Sequence, residues 1–328
     1  MSTIDPLSDV LHLLAAHSYV TIGQRAGADW AIRYDGFVGM KFLALRKGQL
    51  WFRLEAEQHW HQLMPGDGII LTRFAPFVLA TDPSMAAVPL AEVDYVIKEG
   101  FADLGGDDSV ILSGKMEVDQ LASAWLLDLL PEVIFIAHGS DVSSTLNWLM
   151  ASLHKEIQQP RPGSVLAGNH LMQLIMIEGI RSWLTSEEAG LSGWLAALQD
   201  SRVLKALGAI HTEPSRNWQL TELASIAGMS RTGFARLFLQ STGTSAIQYL
   251  TQWKMRLASR ALRLSNEPIK HLAYSLGYAS ESTFSTVFKR VYGTSPSAHR
   301  LSYRQDPATQ FESDTLSRGL RNIHSGFA

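Results

Sequence analysis

Hydrophobic residues recur with a helical period in the last third of the chain, and one pattern occurs there twice. The segment 223–245 recurs as 272–295, and each copy holds a Leu-Ala pair, a glycine, two phenylalanines four residues apart and a closing Gly-Thr-Ser. The copies differ by one residue between the glycine and the first phenylalanine, where a turn can absorb the difference. The period on either side of this turn predicts two short helices in each copy.

The turn residues of both copies fit a helix-turn-helix. Gly228 and Gly277 stand where a helix end favours a left-handed residue, and Ser230 and Ser280 stand where a serine caps the next helix. In a helix-turn-helix, the second helix enters the major groove of DNA. The repeat therefore predicts two DNA-reading units in one chain.

A single long helix is expected between the two units, because residues 246–264 carry an apolar stripe with helical spacing. The stripe consists of Ile247, Leu250, Leu257, Ala261 and Leu264. The basic residues that lie mostly off it are Lys254, Arg256, Arg260 and Arg263. A rigid bridge would place the two units in successive major grooves on one face of the duplex, about 34 Å apart.

Charge is distributed unevenly along a chain whose net charge is only −3. Residues 199–304 hold 14 basic and 5 acidic side chains, whereas residues 1–198 hold 12 basic and 23 acidic ones. A basic domain beside an acidic one is typical of a nucleic-acid binder that carries a separate module. A random surface fluctuation is the alternative, but the basic stretch coincides with the repeat.

Residues 30–136 have a different sequence pattern, in which short apolar runs are separated by Gly, Pro and Asp. These runs are predicted to be strands, with a turn at Pro65-Gly66-Asp67. The predicted strands include Lys41–Leu45, Leu50–Leu54, Ile69–Arg73 and Val110–Leu112. Regularly spaced short strands indicate a small sandwich or barrel. The expected fold class is α+β, with an N-terminal β-barrel plus helices and a C-terminal all-α domain that holds two helix-turn-helix motifs.

Two helices after the predicted barrel are more apolar than one packing surface requires. Leu146–Ile157 forms one apolar face, and Leu171–Leu184 is apolar round most of its circumference. Such breadth needs two burying surfaces, so a partner subunit and a fully internal helix both stay open. For a homodimer through the helices at about 143–186, the contact residues we nominate are Leu149, Leu153 and Met176.

The domain boundaries follow from these changes in sequence pattern. A short helix is predicted to begin at Asp5-Pro6, and a hinge is predicted at Gly190–Gly193. The predicted domains are a regulatory domain over 1–190, a DNA-binding domain over 194–304 and a flexible tail over 305–328. The chain has no cysteine, which excludes disulfides and thiolate metal sites. We expect no signal peptide, no membrane span and a cytoplasmic location.

The segment 220–300 resembles the AraC/XylS family of bacterial transcription regulators. The family is characterised by two helix-turn-helix motifs joined by one long helix. The segment 277–290 matches the second of these motifs, including Ser282, Phe284 and Phe288. One position differs from the family's pattern: this chain has Ala246 where family members often have a proline after the first motif. The resemblance implies a sequence-specific regulator whose partner is double-stranded DNA, and RNA polymerase if it activates.

The N-terminal part resembles the cupin-like sensor domain of one subgroup of these regulators. The resemblance rests on Leu63–Asp67, Ile111–Gly114 and Leu129–Pro131. It implies a regulatory domain that a small-molecule effector controls, and the sequence identifies no effector. The residues predicted to contact DNA, by their place on the two reading helices, are Ser230, Arg231, Thr232, Arg236, Ser280, Ser282, Thr283, Thr286, Lys289 and Arg290.

The strand-like segment His59-Trp60-His61 could place two imidazoles on one face, as a metal-binding cupin requires. The pair lies later than the resemblance would place it, and Phe77 stands near the position of the later histidine. We therefore expect no metal, no cofactor and no enzymatic activity. An apolar pocket in the barrel stays plausible, with these candidate lining residues: Trp30, Phe37, Phe42, Trp51 and Phe52.

Two other functions stay open. The first is a cupin-type small-molecule enzyme with an appended DNA-binding domain, which a metal assay and a turnover screen would reveal. The second is an architectural DNA-binding protein without an effector, which a large pocket in the structure would count against.

Overall fold

The computed structural model describes residues 5–13, 17–27, 29–37, 39–117, 127, 129–138, 143–186 and 193–305. Contacts between residues divide the chain into two units. The sheet unit is Leu14–Leu195, and the helical unit combines Met1–Leu13 with Ala196–Ala328. The predicted hinge, except for Gly193, and the predicted tail, except for Gln305, lie outside the described residues.

The sheet unit contains two sheets. Its described strands are β1 (His17–Ala26), β2 (Ala31–Tyr34), β3 (Met40–Lys47), β4 (Leu50–Leu54), β5 (His61–Leu63), β6 (Gly68–Leu71), β7 (Phe77–Ala80), β8 (Val88–Pro89), β9 (Val96–Lys98), β10 (Phe101–Asp103), β11 (Ser109–Glu117) and β12 (Val133–Ile136). One sheet has the order β12-β6-β3-β11-β1-β10-β9, and the other has the order β5-β4-β7-β2-β8. The four predicted strands coincide with or overlap β4, β3, β6 and β11, which confirms them.

The main core of this unit is built by alternate residues of the strands. On β3, Leu43 and Leu45 join the same buried cluster as Phe52 of β4. Phe42 is equally buried but is absent from that cluster, because neighbouring side chains of a strand point to opposite faces. The predicted turn is confirmed as well, since the Asp67 carboxylate accepts a hydrogen bond from the Met64 N–H at 2.7 Å.

The pocket lining predicted from the sequence needs correction. Phe37 does border a cavity between the sheets. Trp30, Phe42 and Phe52 are instead buried core side chains, and Trp51 is not among the cavity's walls. Aromatic residues are abundant in this region, and the sequence does not separate those that fill the core from those that border an opening.

The two apolar helices of the sheet unit are α2 (Ser143–Gln158) and α3 (Ser164–Thr185). α2 packs on α3, and α3 packs on β1, β11 and β12. The nominated dimer contacts were wrong, because Leu149, Leu153 and Met176 are at most 2% exposed and belong to this internal packing. The large apolar side chains that α2 and α3 do expose are Trp148, Val165, Leu166 and Leu174.

The helical unit is formed by helices from both ends of the chain. They are α1 (Pro6–Leu13), α4 (Gly193–Ala197), α5 (Ser201–Thr212), α6 (Leu220–Ile226), α7 (Arg231–Thr242), α8 (Ala246–Leu264), α9 (Ile269–Ser275), α10 (Glu281–Tyr292) and α11 (Pro296–Gln305), with α4 lying across the division between the units. The long bridge predicted over 246–264 is confirmed as α8. Among the described helices, none is long and apolar enough to cross a membrane.

A buried histidine ties α1 to the rest of the helical unit. The His211 Nδ1 atom lies 3.0 Å from the Asp9 Oδ2 atom, and the Nε2 atom lies 2.8 Å from the Tyr249 hydroxyl. The His211 ring stacks on Trp253 of α8 with centroids 3.8 Å apart. Burial lowers the pKa of His211, and Asp9 offsets part of that shift. The boundaries predicted from the sequence grouped α1 with residues 14–190, whereas its contacts are with α5 and α8.

Candidate nucleic-acid interface

The first helix-turn-helix consists of α6, a turn at Gly228 and α7. The Ser230 hydroxyl accepts a hydrogen bond from the Gly233 N–H at 3.2 Å and so caps α7. Phe234 and Phe238 are fully buried, with ring centroids 5.5 Å apart. The cap fixes where the helix begins, and the phenylalanines fix which face is hidden. The helix-turn-helix expected from the sequence is confirmed.

The second helix-turn-helix repeats this construction with α9, Gly277 and α10. The Ser280 hydroxyl accepts from the Thr283 N–H at 3.1 Å. Phe284 and Phe288 are fully buried, with ring centroids 5.8 Å apart. Both serines therefore cap their helices as predicted, and the two copies bury the same face of their second helix.

The bridge α8 is buried on more sides than its sequence pattern indicates. Ile247 and Leu264 of the predicted stripe are 42% and 65% exposed. The buried residues of α8 are Ala246, Tyr249, Leu250, Trp253, Lys254, Met255, Arg256, Ala258, Ser259 and Leu262. The helix packs against α1, α7, α10 and α11, so no single stripe can describe its burial.

Two basic residues of α8 are consequently removed from the surface. Lys254 and Arg256 are 6% and 9% exposed, and burial lowers the pKa of both side chains. The Lys254 ammonium lies 5.4 Å from the centroid of the Tyr278 ring. Part of the positive charge counted in the sequence is therefore structural and is not presented to a ligand.

The outer face of α7 carries the side chains predicted to read bases. Arg231, Thr232 and Arg236 are exposed. Thr232 and Arg236 lie on the side opposite Phe234 and Phe238, whereas Arg231 is the first residue of the helix and lies nearer the side of the phenylalanines. Within the part of the chain that the structure describes, no carboxylate forms an ion pair with either arginine. Both guanidinium groups thus keep their donors for a ligand.

The outer face of α10 differs, because hydroxyl groups replace the arginines. Ser282, Thr283 and Thr286 are exposed, but the Thr286 hydroxyl donates to the Ser282 carbonyl oxygen at 3.0 Å. The Thr283 hydroxyl lies 2.9 Å from the Ser280 hydroxyl. The strong cationic donors of this helix are Lys289 and Arg290 in its last turn, and both are exposed.

Sequence reasoning missed one exposed cation near this surface and two half-buried lysines in the other unit. Lys270 is exposed in the first turn of α9, directly after the Pro268 cap. Lys41 and Lys115 border the cavity of the sheet unit. The sequence did contain a signal for Lys41, because residues two apart on a strand share a face. Lys41 is therefore a charged side chain on the same face as the apolar Leu43 and Leu45.

The histidine pair of the sheet unit was the other site considered. The His59 and His61 rings have centroids 5.0 Å apart, and the His61 Nε2 atom lies 4.0 Å from the Glu57 carboxylate. Among the residues described, no group of three histidine or acidic side chains is arranged to hold a metal ion. The structure therefore offers no geometry from which to derive metal chemistry at this pair.

Comparison with protein families assigns both parts of the chain. The Cupin family matches residues 5–185, and the Helix-turn-helix domain family matches residues 223–302. The Cupin match includes α1, which packs in the helical unit. An AraC-like transcription regulator of Streptomyces lividans is 34% identical over 298 residues, which cover 90% of this chain and 98% of the relative.

Other relatives and solved structures are also transcription regulators. The RCS-specific activator RclR of Escherichia coli is 26% identical, over 92% of this chain and 99% of that protein. The DNA-binding domain of AdpA in complex with a target DNA is 29% identical and covers 30% of this chain and 89% of that one, with a TM-score of 0.29. ToxT of Vibrio cholerae, bound to an unsaturated fatty acid, is 14% identical over 87% of this chain and 94% of that one, with a TM-score of 0.36.

Proposed function

This chain belongs to the family of AraC-like transcription regulators, and from that premise we propose that α7 and α10 are its two DNA-reading helices. The observation that carries the proposal is the repeated construction of these helices, each with a serine cap, two buried phenylalanines and an exposed polar face. The bridge α8 would hold them in successive major grooves, so that one protomer reads an asymmetric site. Such a protein acts on the bacterial chromosome, in the cytoplasm.

The two helices should use different kinds of contact. Arg236 is the best candidate for direct base reading, because the guanidinium fork matches the acceptor edge of guanine in the major groove. Thr232 extends the same face, and Arg231 is exposed in the first turn of α7. On α10, Ser282, Thr283 and Thr286 have hydroxyl groups that are weaker readers, so shape and backbone contacts should contribute more there. Ser230 and Ser280 would bring the helix N-termini towards the phosphates.

Replacing Lys289 with alanine is expected to weaken binding to all DNA sequences alike. Lys289 is exposed at the end of α10, and a lysine there would contact phosphate as a point charge. The slope of log affinity against log salt concentration should fall by about 1. Lys155→Ala, which removes an exposed lysine of the sheet unit, is the control and should leave the slope unchanged. A change in sequence preference for Lys289→Ala would identify a base reader and contradict this assignment.

The cupin domain supplies the regulatory half of the proposal. It holds a cavity of about 480 Å³, which favours a small-molecule effector over an architectural role without one. We assign no catalytic activity to this domain. When the protein activates transcription, RNA polymerase would be its second partner. Mapping of bound chromosomal DNA with and without candidate metabolites tests whether the cavity governs the regulator.

We further propose that the protein is a homodimer, and that its contact lies on the exposed apolar side chains of α2 and α3. Leu166 is 63% exposed and Trp148 is 64% exposed, and exposed apolar groups of this size favour a partner site. Leu166→Glu should convert dimers to monomers and leave the circular dichroism spectrum unchanged. Leu153→Glu should unfold the sheet unit, because Leu153 is fully buried. Light scattering that finds a monomer for the unmutated protein at high concentration would contradict the proposal.

A further inference from the structure

The cavity of the cupin domain is mainly apolar, but a lysine amine borders both of its parts. The larger part, about 480 Å³, is bordered by aromatic rings that include Tyr34, Phe37 and Phe77. A smaller adjoining part of about 180 Å³ shares Tyr34 and Phe77. Lys41 is in the wall of both. A chamber of this size and lining is suited to a small, mainly apolar molecule, and the amine gives it a reactive group.

Strand β3 holds the Lys41 side chain on an apolar face. Residues two apart on a strand share a face, and Leu43 and Leu45 belong to the main buried cluster of this unit. Burial lowers the pKa of Lys41 to about 8. Roughly a tenth of this side chain would therefore be the free amine at pH 7, against less than about one part in a thousand for an unperturbed lysine. The free amine is the nucleophilic form of lysine.

The contacts of Lys41 hold its nitrogen in place without an ion pair. The ammonium donates to the Thr21 hydroxyl at 3.0 Å, and that hydroxyl lies 2.7 Å from the Ser113 hydroxyl. In the part of the chain that the structure describes, no carboxylate lies at ion-pair distance from Lys41. A carboxylate would keep the proton on the nitrogen, whereas a neutral hydroxyl favours the charged form much less.

A second polar group of the wall is a donor without an acceptor. Gln24 borders the smaller part of the cavity and is 8% exposed. Its side-chain oxygen accepts a hydrogen bond from the Tyr34 hydroxyl, whereas its amide nitrogen has no acceptor among the described residues. An unsatisfied buried donor is costly, and a carbonyl oxygen in this part of the cavity would satisfy it. Gln24 and Lys41 thus offer a carbonyl compound a hydrogen-bond donor and a nucleophile.

We propose that the cavity takes up an apolar aldehyde and that Lys41 holds it covalently as an imine. This inference rests on the proposed function, because it identifies the chemical class of the effector. The free Lys41 nitrogen attacks the carbonyl carbon, and dehydration of the addition product forms the C=N bond. The carbonyl oxygen leaves as water with both protons of the nitrogen, so no oxidant or reductant takes part. The carbon body of the aldehyde lies along Tyr34, Phe37 and Phe77.

The test traps the imine on the full chain by reduction. The protein is incubated with decanal or phenylacetaldehyde and treated with sodium borohydride, and mass spectrometry of its peptides locates each secondary amine. Lys47 is the comparison, because it lies on the same strand but is exposed and paired with Asp107 at 3.1 Å. At neutral pH, Lys41 should be labelled at least about tenfold more than Lys47, because burial frees more of its nitrogen from the proton.

Two arginine variants keep the positive charge and remove the primary amine. Lys41→Arg should lose the main label, and Lys47→Arg should keep it. Propanal, which has too short a carbon body to fill the cavity, should label Lys41 far less than decanal does. Labelling of Lys41 should rise with pH and level off above about pH 8, because the free amine is the form that reacts.

Three results would overturn the inference. They are the absence of a trapped amine at Lys41, equal labelling of Lys41 and Lys47, and a label from propanal as strong as that from decanal. A label on Lys115 in place of Lys41 would also contradict it, although Lys115 lies directly opposite Lys41 in the antiparallel register. The unmutated protein decides all four results, so the outcome does not depend on whether Lys41→Arg folds.

The DNA affinity of the reduced adduct separates this inference from the proposed function. The adduct should differ in affinity for specific DNA from protein that was treated with borohydride alone. An adduct at Lys41 with unchanged DNA affinity would support the chemistry of the cavity and contradict its role in effector control. Failure of the untreated protein to bind specific DNA would contradict the proposed function, and the labelling would still decide whether Lys41 captures an aldehyde.

Discussion

Gly277→Ala is expected to lower the free energy of unfolding of the helical unit by about 3 kcal/mol or more and to abolish specific DNA binding. Gly277 has φ 81°, a left-handed backbone that costs an alanine roughly 1–2 kcal/mol. In addition, a Cβ at this position would overlap the carbonyl oxygen of Ser215. Main-chain atoms cannot move aside as a flexible side chain can, and forced overpacking typically costs about 1–3 kcal/mol.

The first copy of the repeat supplies the control for this substitution. Gly228 occupies the equivalent turn with φ 66°, but a Cβ there would meet no atom within 4 Å. Gly228→Ala should therefore cost only the backbone contribution, about 1 kcal/mol. Urea unfolding of both variants, followed by circular dichroism, gives the comparison. Equal destabilisation by the two substitutions would contradict the account, because only one site has a steric obstacle.

Arg236→Ala is expected to weaken binding to the specific site by about 1–3 kcal/mol and to relax preference at one base pair. The physical reason is the loss of the bidentate contact that we propose for the Arg236 guanidinium group on the outer face of α7. The stability of the protein should not change, since Arg236 is exposed and its neighbours Phe234 and Phe238 remain buried.

A matched variant separates base reading from loss of charge. Arg202 is exposed on α5 and paired with Asp200 at 2.7 Å, so Arg202→Ala removes the same charge from the same unit. It should leave base preference unchanged. Competition binding against a library of operator variants is the measurement. Retention of both affinity and base preference in Arg236→Ala would refute the role of Arg236.

The repeat was the most reliable guide to structure, for a physical reason. Each copy specifies a cap at Ser230 or Ser280, a turn at Gly228 or Gly277 and a hidden aromatic face, and these are local requirements of the backbone. Because the cap, the turn and the period agree, the two reading helices begin directly after the serines predicted to cap them. The exposed face of each reading helix then follows from the positions of its phenylalanines.

Features that depend on distant packing could not be predicted in this way. The prediction of a single apolar stripe on α8 was wrong, because helices from both repeats and α1 from the start of the chain pack round this helix. The sequence predicts a partner surface at Leu153 and Met176, but apolar breadth alone does not distinguish contact with a partner subunit from packing inside the same domain. The facing of Lys41 and Lys115 depends on strand register, which the sequence does not reveal.

The central claim is that one protomer reads DNA with both α7 and α10, and hydroxyl-radical footprinting of the full protein on its bound DNA tests it most directly. We expect two protected patches per protomer on one face of the duplex, about 10 base pairs apart. Arg236→Ala should weaken protection mainly in one patch, and Lys289→Ala mainly in the other. A single patch per protomer, or the same patch affected by both substitutions, would contradict the account.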